Sequence, residues 1–154
     1  LDFFFHLTTL KGLFFSSYLR FLKFLFLPMG KDKEPVLVSA CLLGVNCRYD
    51  GKNKLNRELL EKLENKEIIP ICPEVEGGLP TPREPATRIE NRVITNFTQR
   101  DVTKFFRIGA LKALSKARKY KIKKAYLKSK SPSCGENGLA AELLKQQGIN
   151  IEWF

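Results

Sequence analysis

Val36-Leu37-Val38-Ser39-Ala40 decides the fold. The run is short and mostly apolar, without the strict alternation of a half-solvated strand, so it reads as a buried strand. Cys41 follows at once, and a Gly/Asn-containing loop runs from Leu42 to Lys54. A helix comes next, with Asn56 as N-cap, Leu55 and Leu60 as a hydrophobic staple, and Leu59, Leu60 and Leu63 as its apolar stripe. Ile68-Ile69-Pro70-Ile71 is a second strand, whose proline cannot donate to a ladder and so belongs at an edge or a strand start. Cys72 follows it directly, and a Pro/Gly loop occupies residues 73–86.

Residues 87–90 and 92–95 suggest a small hairpin about Glu90-Asn91. Asp101 caps the longest helix, about 102–119, in which Val102, Phe105, Phe106, Gly109, Ala113 and Ala117 recur every three or four residues. Ala125-Tyr126-Leu127 is a third strand, followed by a loop from Lys128 to Asn137. A helix over 138–147 stops at Gly148, and residues 149–153 form a fourth strand. Strands that alternate with helices imply right-handed crossovers. The expected fold is therefore α/β, a small Rossmann-like, mostly parallel sheet flanked by helices.

Residues 1–30 are a different kind of sequence. They hold eight of the twelve Phe, yet Lys11, Arg20 and Lys23 interrupt every apolar run before it reaches the ~18 to 20 residues of a membrane span. A basic start and a small-residue cleavage site, the marks of a signal peptide, are absent. Residues 1–30 are set apart as a hydrophobic extension and 31–154 as the functional domain; we expect translation to begin at Met29, which would leave the residues upstream of it outside the native protein. An amphipathic helix at a membrane surface is the alternative, and membrane contact is expected only if residues 1–28 are real.

The formal charge of +11 permits anionic partners, nucleic acid among them. Lys112, Lys116, Lys119, Lys121, Lys123 and Lys124 are spread as on a solvated helix face, so charge alone does not favour nucleic acid. The four cysteines are Cys41, Cys47, Cys72 and Cys134. Without a secretion signal the expected setting is cytoplasmic, where thiols stay reduced.

Three of those cysteines converge. Cys41 follows strand one, Cys72 follows strand two, and Cys134 lies in the loop after strand three. In a parallel sheet these loops leave the same carboxyl edge, where open α/β sheets bind ligands. Cys47 shares a loop with Cys41. Free cysteines are often small buried hydrophobes, but three in one kind of position point to a metal centre. The paired spacing of structural zinc sites is missing, although a four-cysteine zinc site remains open. An iron–sulfur cluster takes thiolates from separated loops, and three thiolates would leave one iron free to polarise a substrate sulfur.

Residues 36–51 (VLVSACLLGVNCRYDG), 72–83 (CPEVEGGLPTPR), Asp101-Val102-Thr103 and 129–135 (SKSPSCG) together resemble the thiouracil desulfurase family, small iron–sulfur proteins, over about residues 35–153. The resemblance implies a 4Fe–4S cluster on Cys41, Cys72 and Cys134, with Cys47 outside the ligand set. It implies that Glu74 and Ser131 lie beside a thiolated nucleobase or nucleoside, whose C=S becomes C=O with release of sulfide. Two departures stand out. Many relatives carry a longer Gly-rich insertion where this chain has only Gly135-Glu136-Asn137-Gly138, and they usually place Gly just before Asp-Val-Thr where this chain has Gln99-Arg100.

Glu74, two residues past a ligand, suits a general acid/base. Ser131 could orient the ring or water, or serve as a turn residue beside Pro132. Gly77-Gly78 could let backbone approach a ligand. Arg83 and Arg88 could balance cluster charge or form surface ion pairs. Asp50 reads as a turn residue, with an auxiliary acid as the alternative. A non-catalytic cluster- or RNA-binding module is the competing reading. A zinc hydrolase is disfavoured, because the one histidine, His6, lies in the extension.

Overall fold

The structure, a computed structural model, describes residues 33–154. The expectations for residues 1–30 fall outside the described residues. Four parallel strands form the main sheet in the order β2-β1-β5-β6: β1 is Glu34–Ser39, β2 is Lys66–Ile71, β5 is Lys124–Leu127 and β6 is Asn150–Trp153. Helix α1 is Arg57–Lys62, α2 is Pro73–Glu76, α3 is Thr103–Lys119 and α4 is Leu139–Gln146. The α/β reading holds, and Pro70 does sit on an edge strand.

Strand β1 is buried on both faces because alternate side chains enter two cores. Leu37 joins Ile69, Ile71, Ala125 and Leu127 under Ala110, Ala113 and Ala117 of α3 and Ala140, Ala141 and Leu144 of α4. Val36 and Val38 face the other way, toward Leu42, Leu59, Leu63 and Tyr126. The expected hairpin forms from β3, Ala86–Ile89, and β4, Arg92–Thr95. Glu90 makes its turn with φ at 51°. Val93, Val102 and Phe106 hold it to the start of α3.

Some local expectations change. Asn56 caps α1 through Oδ1, which accepts from Leu59 N at 2.9 Å. Leu55 and Leu60 nevertheless stay exposed at 47% and 36%, so the staple buries little and the stripe reduces to Leu59 and Leu63. Phe105 is also outside the core, because the buried face of α3 runs through Phe106, Gly109, Ala110, Ala113, Leu114 and Ala117. The loop expected over 73–86 begins with α2.

Gly77 serves helix packing. A methyl group on Gly77 would sit 2.1 Å from the Phe105 carbonyl oxygen, so this glycine lets α2 lie against α3. Gly109 does the same from the other side, since a methyl group there would sit 1.8 Å from the Pro73 carbonyl oxygen. This contact sets α2, and with it Glu74, at the end of β2. Helix α3 begins at Thr103 with Val102, not the expected Asp101, in the N-cap position; Asp101 Oδ1 still accepts from Thr103 N at 2.9 Å and braces the entry to the helix. Two residues before Asp101, Gln99 has φ at 54°, a backbone state that glycine adopts at less cost.

Candidate active site

Register brings the strand ends together. Ser39, the last residue of β1, pairs with Ile71, the last of β2. On the other flank Lys128 N, just past β5, donates to Ser39 Oγ at 3.0 Å. Cys41 lies in one turn of 3-10 helix, Ala40–Leu43, and its carbonyl accepts from Lys54 N at 2.8 Å. Cys72 immediately precedes α2, and its Sγ lies 3.6 Å from the Cys47 carbonyl oxygen. Cys134 N donates to Ser131 Oγ at 3.1 Å, and Trp153 Nε1 donates to the Cys134 carbonyl at 2.9 Å. All four cysteines line one cavity of about 420 Å³.

Glu74 and Ser131 line the same cavity and touch each other, with Ser131 Oγ donating to Glu74 Oε1 at 3.3 Å. The other carboxylate oxygen, Oε2, takes Arg83 Nε at 2.8 Å and Nη2 at 2.6 Å. Arg83 is a buried clamp rather than a surface ion pair, with 7% of its side chain exposed. Its remaining donors reach the Cys47 carbonyl at 3.0 Å, the Pro80 carbonyl at 3.2 Å and Thr81 Oγ at 3.2 Å. One guanidinium thus joins the Cys47 loop, α2 and the 80–83 segment. Ser131 also does the work of a turn residue, accepting from Ser133 N at 3.2 Å.

The thiols do not share charge evenly. A hydrogen bond from the Cys47 thiol is the main influence that lowers Cys41 and brings Cys72 to about 7. Burial opposes both shifts. Val75 N–H and Arg83 help lower Cys72. The same hydrogen bonds raise Cys47, which keeps its proton. Burial pushes Cys134 up, and the Ser39 hydroxyl offsets part of that. A metal centre would have to displace the Cys134 proton on binding.

Among the described residues no three of His, Cys, Asp or Glu gather closely enough to hold a single metal ion. Zinc needs such a gathering, with sulfur about 2.3 Å from one point. The cysteines instead ring a cavity. An iron–sulfur cluster takes each thiolate on a different iron and so suits donors that are spread apart. The all-thiol donor set, with no histidine lining the cavity among the described residues, fits that group too.

Other residues singled out in the sequence lie elsewhere. Arg88 pairs with Glu142 at 2.6 Å and donates to the Asn137 carbonyl at 2.8 Å, which ties the hairpin to α4. Asp50 serves its own turn, accepting from Lys52 N at 3.1 Å and pairing with Arg48 at 3.1 Å. The short segment 135–138 does not line the cavity. Arg48, Tyr49, Lys128 and Lys130 line the cavity although the sequence reading did not offer them as site residues. Lys128 carried a usable signal, since it follows β5 as Cys72 follows β2.

Comparison with known proteins agrees with this geometry. The family model described as 2-thiouracil desulfurase matches residues 36–152. A Bacillus subtilis (strain 168) protein, YbbK, described as uncharacterized, is 34% identical over 140 residues, covering 75% of this chain and 93% of the relative. Among solved structures, the [4Fe-4S]-dependent thiouracil desulfidase TudS is similar with a TM-score of 0.73 and 39% identity, over 79% of this chain and 91% of that one.

Proposed function

The chain belongs to the 2-thiouracil desulfurase family, and from that premise we infer that it is a [4Fe–4S]-dependent enzyme that removes sulfur from a thiolated nucleobase. The net reaction is thione plus water to carbonyl plus hydrogen sulfide, with no change of oxidation state. The observation that carries this reading is the single cavity lined by Cys41, Cys72, Cys134, Glu74 and Ser131. Residues from three chain segments meet there because the sheet register brings their strand ends to one edge.

Cys41, Cys72 and Cys134 are the proposed cluster ligands, with Cys47 as a protonated neighbour. When bound, the cluster supplies a Lewis-acidic iron that lacks a protein thiolate and can draw electron density from a thione sulfur. Glu74 is the proposed general base, taking a proton from the attacking water and returning it to the departing sulfur. Arg83 fixes Oε2, so Oε1 is the oxygen left for this work. Ser131 donates to Oε1 and so holds the carboxylate in place beside the substrate. Backbone at residues 131–135 is braced by Gly135 N, which donates to the Ser131 carbonyl at 2.9 Å, so the serine is presented rigidly.

The substrate class is a thiolated pyrimidine base or its nucleoside. The four unpaired thiols suit the cytoplasmic setting proposed here. No helix among the described residues is long and apolar enough to cross a membrane. The test is direct. Anaerobically reconstituted protein incubated with 2-thiouracil and 4-thiouracil should release uracil and sulfide in equal amounts. Cluster-loaded protein that leaves both compounds and their nucleosides intact would favour a non-catalytic cluster-binding module.

A further inference from the structure

Lys128 has an ammonium group that bonds only its chain neighbour, Ser129. It lines the cavity with the four cysteines. The two lining arginines are occupied. Arg83 is spent on Glu74 and two carbonyls, and Arg48 pairs with Asp50 and donates to the Asn53 carbonyl at 3.3 Å. Lys130 sits exposed at the rim. Lys128 Nζ is half-buried and meets only Ser129, at 2.7 Å to the carbonyl and 3.4 Å to Oγ. Among the described residues no carboxylate pairs with it.

The backbone that carries Lys128 is pinned on both sides. Lys128 N bonds Ser39 Oγ at 3.0 Å, two residues before Cys41, and Ser129 N bonds the Phe154 carbonyl at 2.7 Å. A half-buried ammonium without an anionic partner is costly unless an anion arrives. Burial accordingly pushes its pKa below the ordinary lysine value, while the neighbouring Cys41 pulls it back up. Three thiolates would bring three negative charges to this cavity, and the reaction releases a further anion, hydrosulfide.

We propose that Lys128 is the counter-charge of the cluster site, facing the Cys41 ligand and the hydrosulfide released beside it. The proposal rests on the cluster reading above. A positive charge next to an iron–sulfur cluster raises its reduction potential, because it favours the added electron. A lysine that merely packs would leave that potential unchanged.

The experiment compares anaerobically reconstituted wild type, Lys128→Met and Lys128→Arg by iron and sulfide content and by potentiometric titration of the cluster. Lys128→Met should load to the wild-type level but titrate at a more negative potential, and Lys128→Arg should titrate close to wild type. A loaded Lys128→Met with the wild-type potential would overturn the role of Lys128 and leave the cluster reading standing. Loss of the cluster from both variants alike would also overturn it, since charge would then not be what matters. Wild type that takes up no iron would overturn the cluster reading itself, and the proposal with it.

Discussion

Ser131 Oγ lies 3.3 Å from Glu74 Oε1, although 57 residues separate them in the chain. Each is fixed independently of the other. Arg83 holds the far oxygen of Glu74, and the N–H groups of Ser133 and Cys134 hold Ser131. The contact therefore follows from the fold and does not create it.

Glu74→Gln keeps the shape of the side chain and removes the proton-transfer group. Turnover of thiouracil should fall by about 10²–10⁴-fold, the usual worth of general acid–base catalysis. Iron and sulfide content should match wild type, because Glu74 is not a proposed ligand. Steady-state kinetics on samples of equal iron content checks this, and full activity would remove Glu74 from the mechanism.

Arg83→Met leaves a largely buried carboxylate without its partner. Breaking a buried pair from one side costs about 3–5 kcal/mol, and urea unfolding should show a loss near the lower end because 14% of the Glu74 side chain still meets solvent. The double variant Arg83→Met/Glu74→Gln should lose less than the sum of the two singles, since they share one interaction.

Gly109→Ala tests how α2 is seated. The added methyl would meet the Pro73 carbonyl oxygen at 1.8 Å, so α2 must shift. Overpacking of this kind costs about 1–3 kcal/mol. The shift should also displace Glu74, so activity should drop in protein that is still folded. Thermal melts and turnover measured on the same sample would separate the two effects.

Asp101 gives a pH signature. Hydrogen bonding from Thr103, side chain first and then N–H, and pairing with Arg92 lower its carboxyl to about 2, below the ordinary aspartate value of 3.8. A carboxyl depressed in the folded state stabilises above its unfolded value and loses that contribution as pH falls through its folded one. Asp101→Ala should therefore melt below wild type at pH 5, and the gap should close between about pH 4 and pH 2. A gap that stays constant over that window would rule out the ionised brace.

Much of this was legible in the chain. Strand-end position placed Cys41, Cys72 and Cys134 on one edge because parallel register is a property of the whole sheet, and Asn56 and Asp101 announced their helices through short-range hydrogen bonds to the first turn. What stayed hidden depends on contacts distant in sequence. The role of Gly77 is invisible until α3 lies against α2, and Gly109 is explained only by Pro73. Arg83 reads as a surface charge until its five donors are seen to be used. Phe105 fits the helical repeat as well as Phe106 does, and only packing against Val93 and Val102 chooses between them.

The cysteine series tests the central claim most directly. Wild type and the four single Cys→Ala variants would be reconstituted anaerobically and assayed for iron, sulfide and zinc. Wild type and Cys47→Ala should each carry about four iron and four sulfide per chain, while Cys41→Ala, Cys72→Ala and Cys134→Ala should each lose the cluster. Stoichiometric zinc without iron, or a Cys47→Ala variant as empty as the other three, would contradict a cluster held by three cysteines with one iron left open.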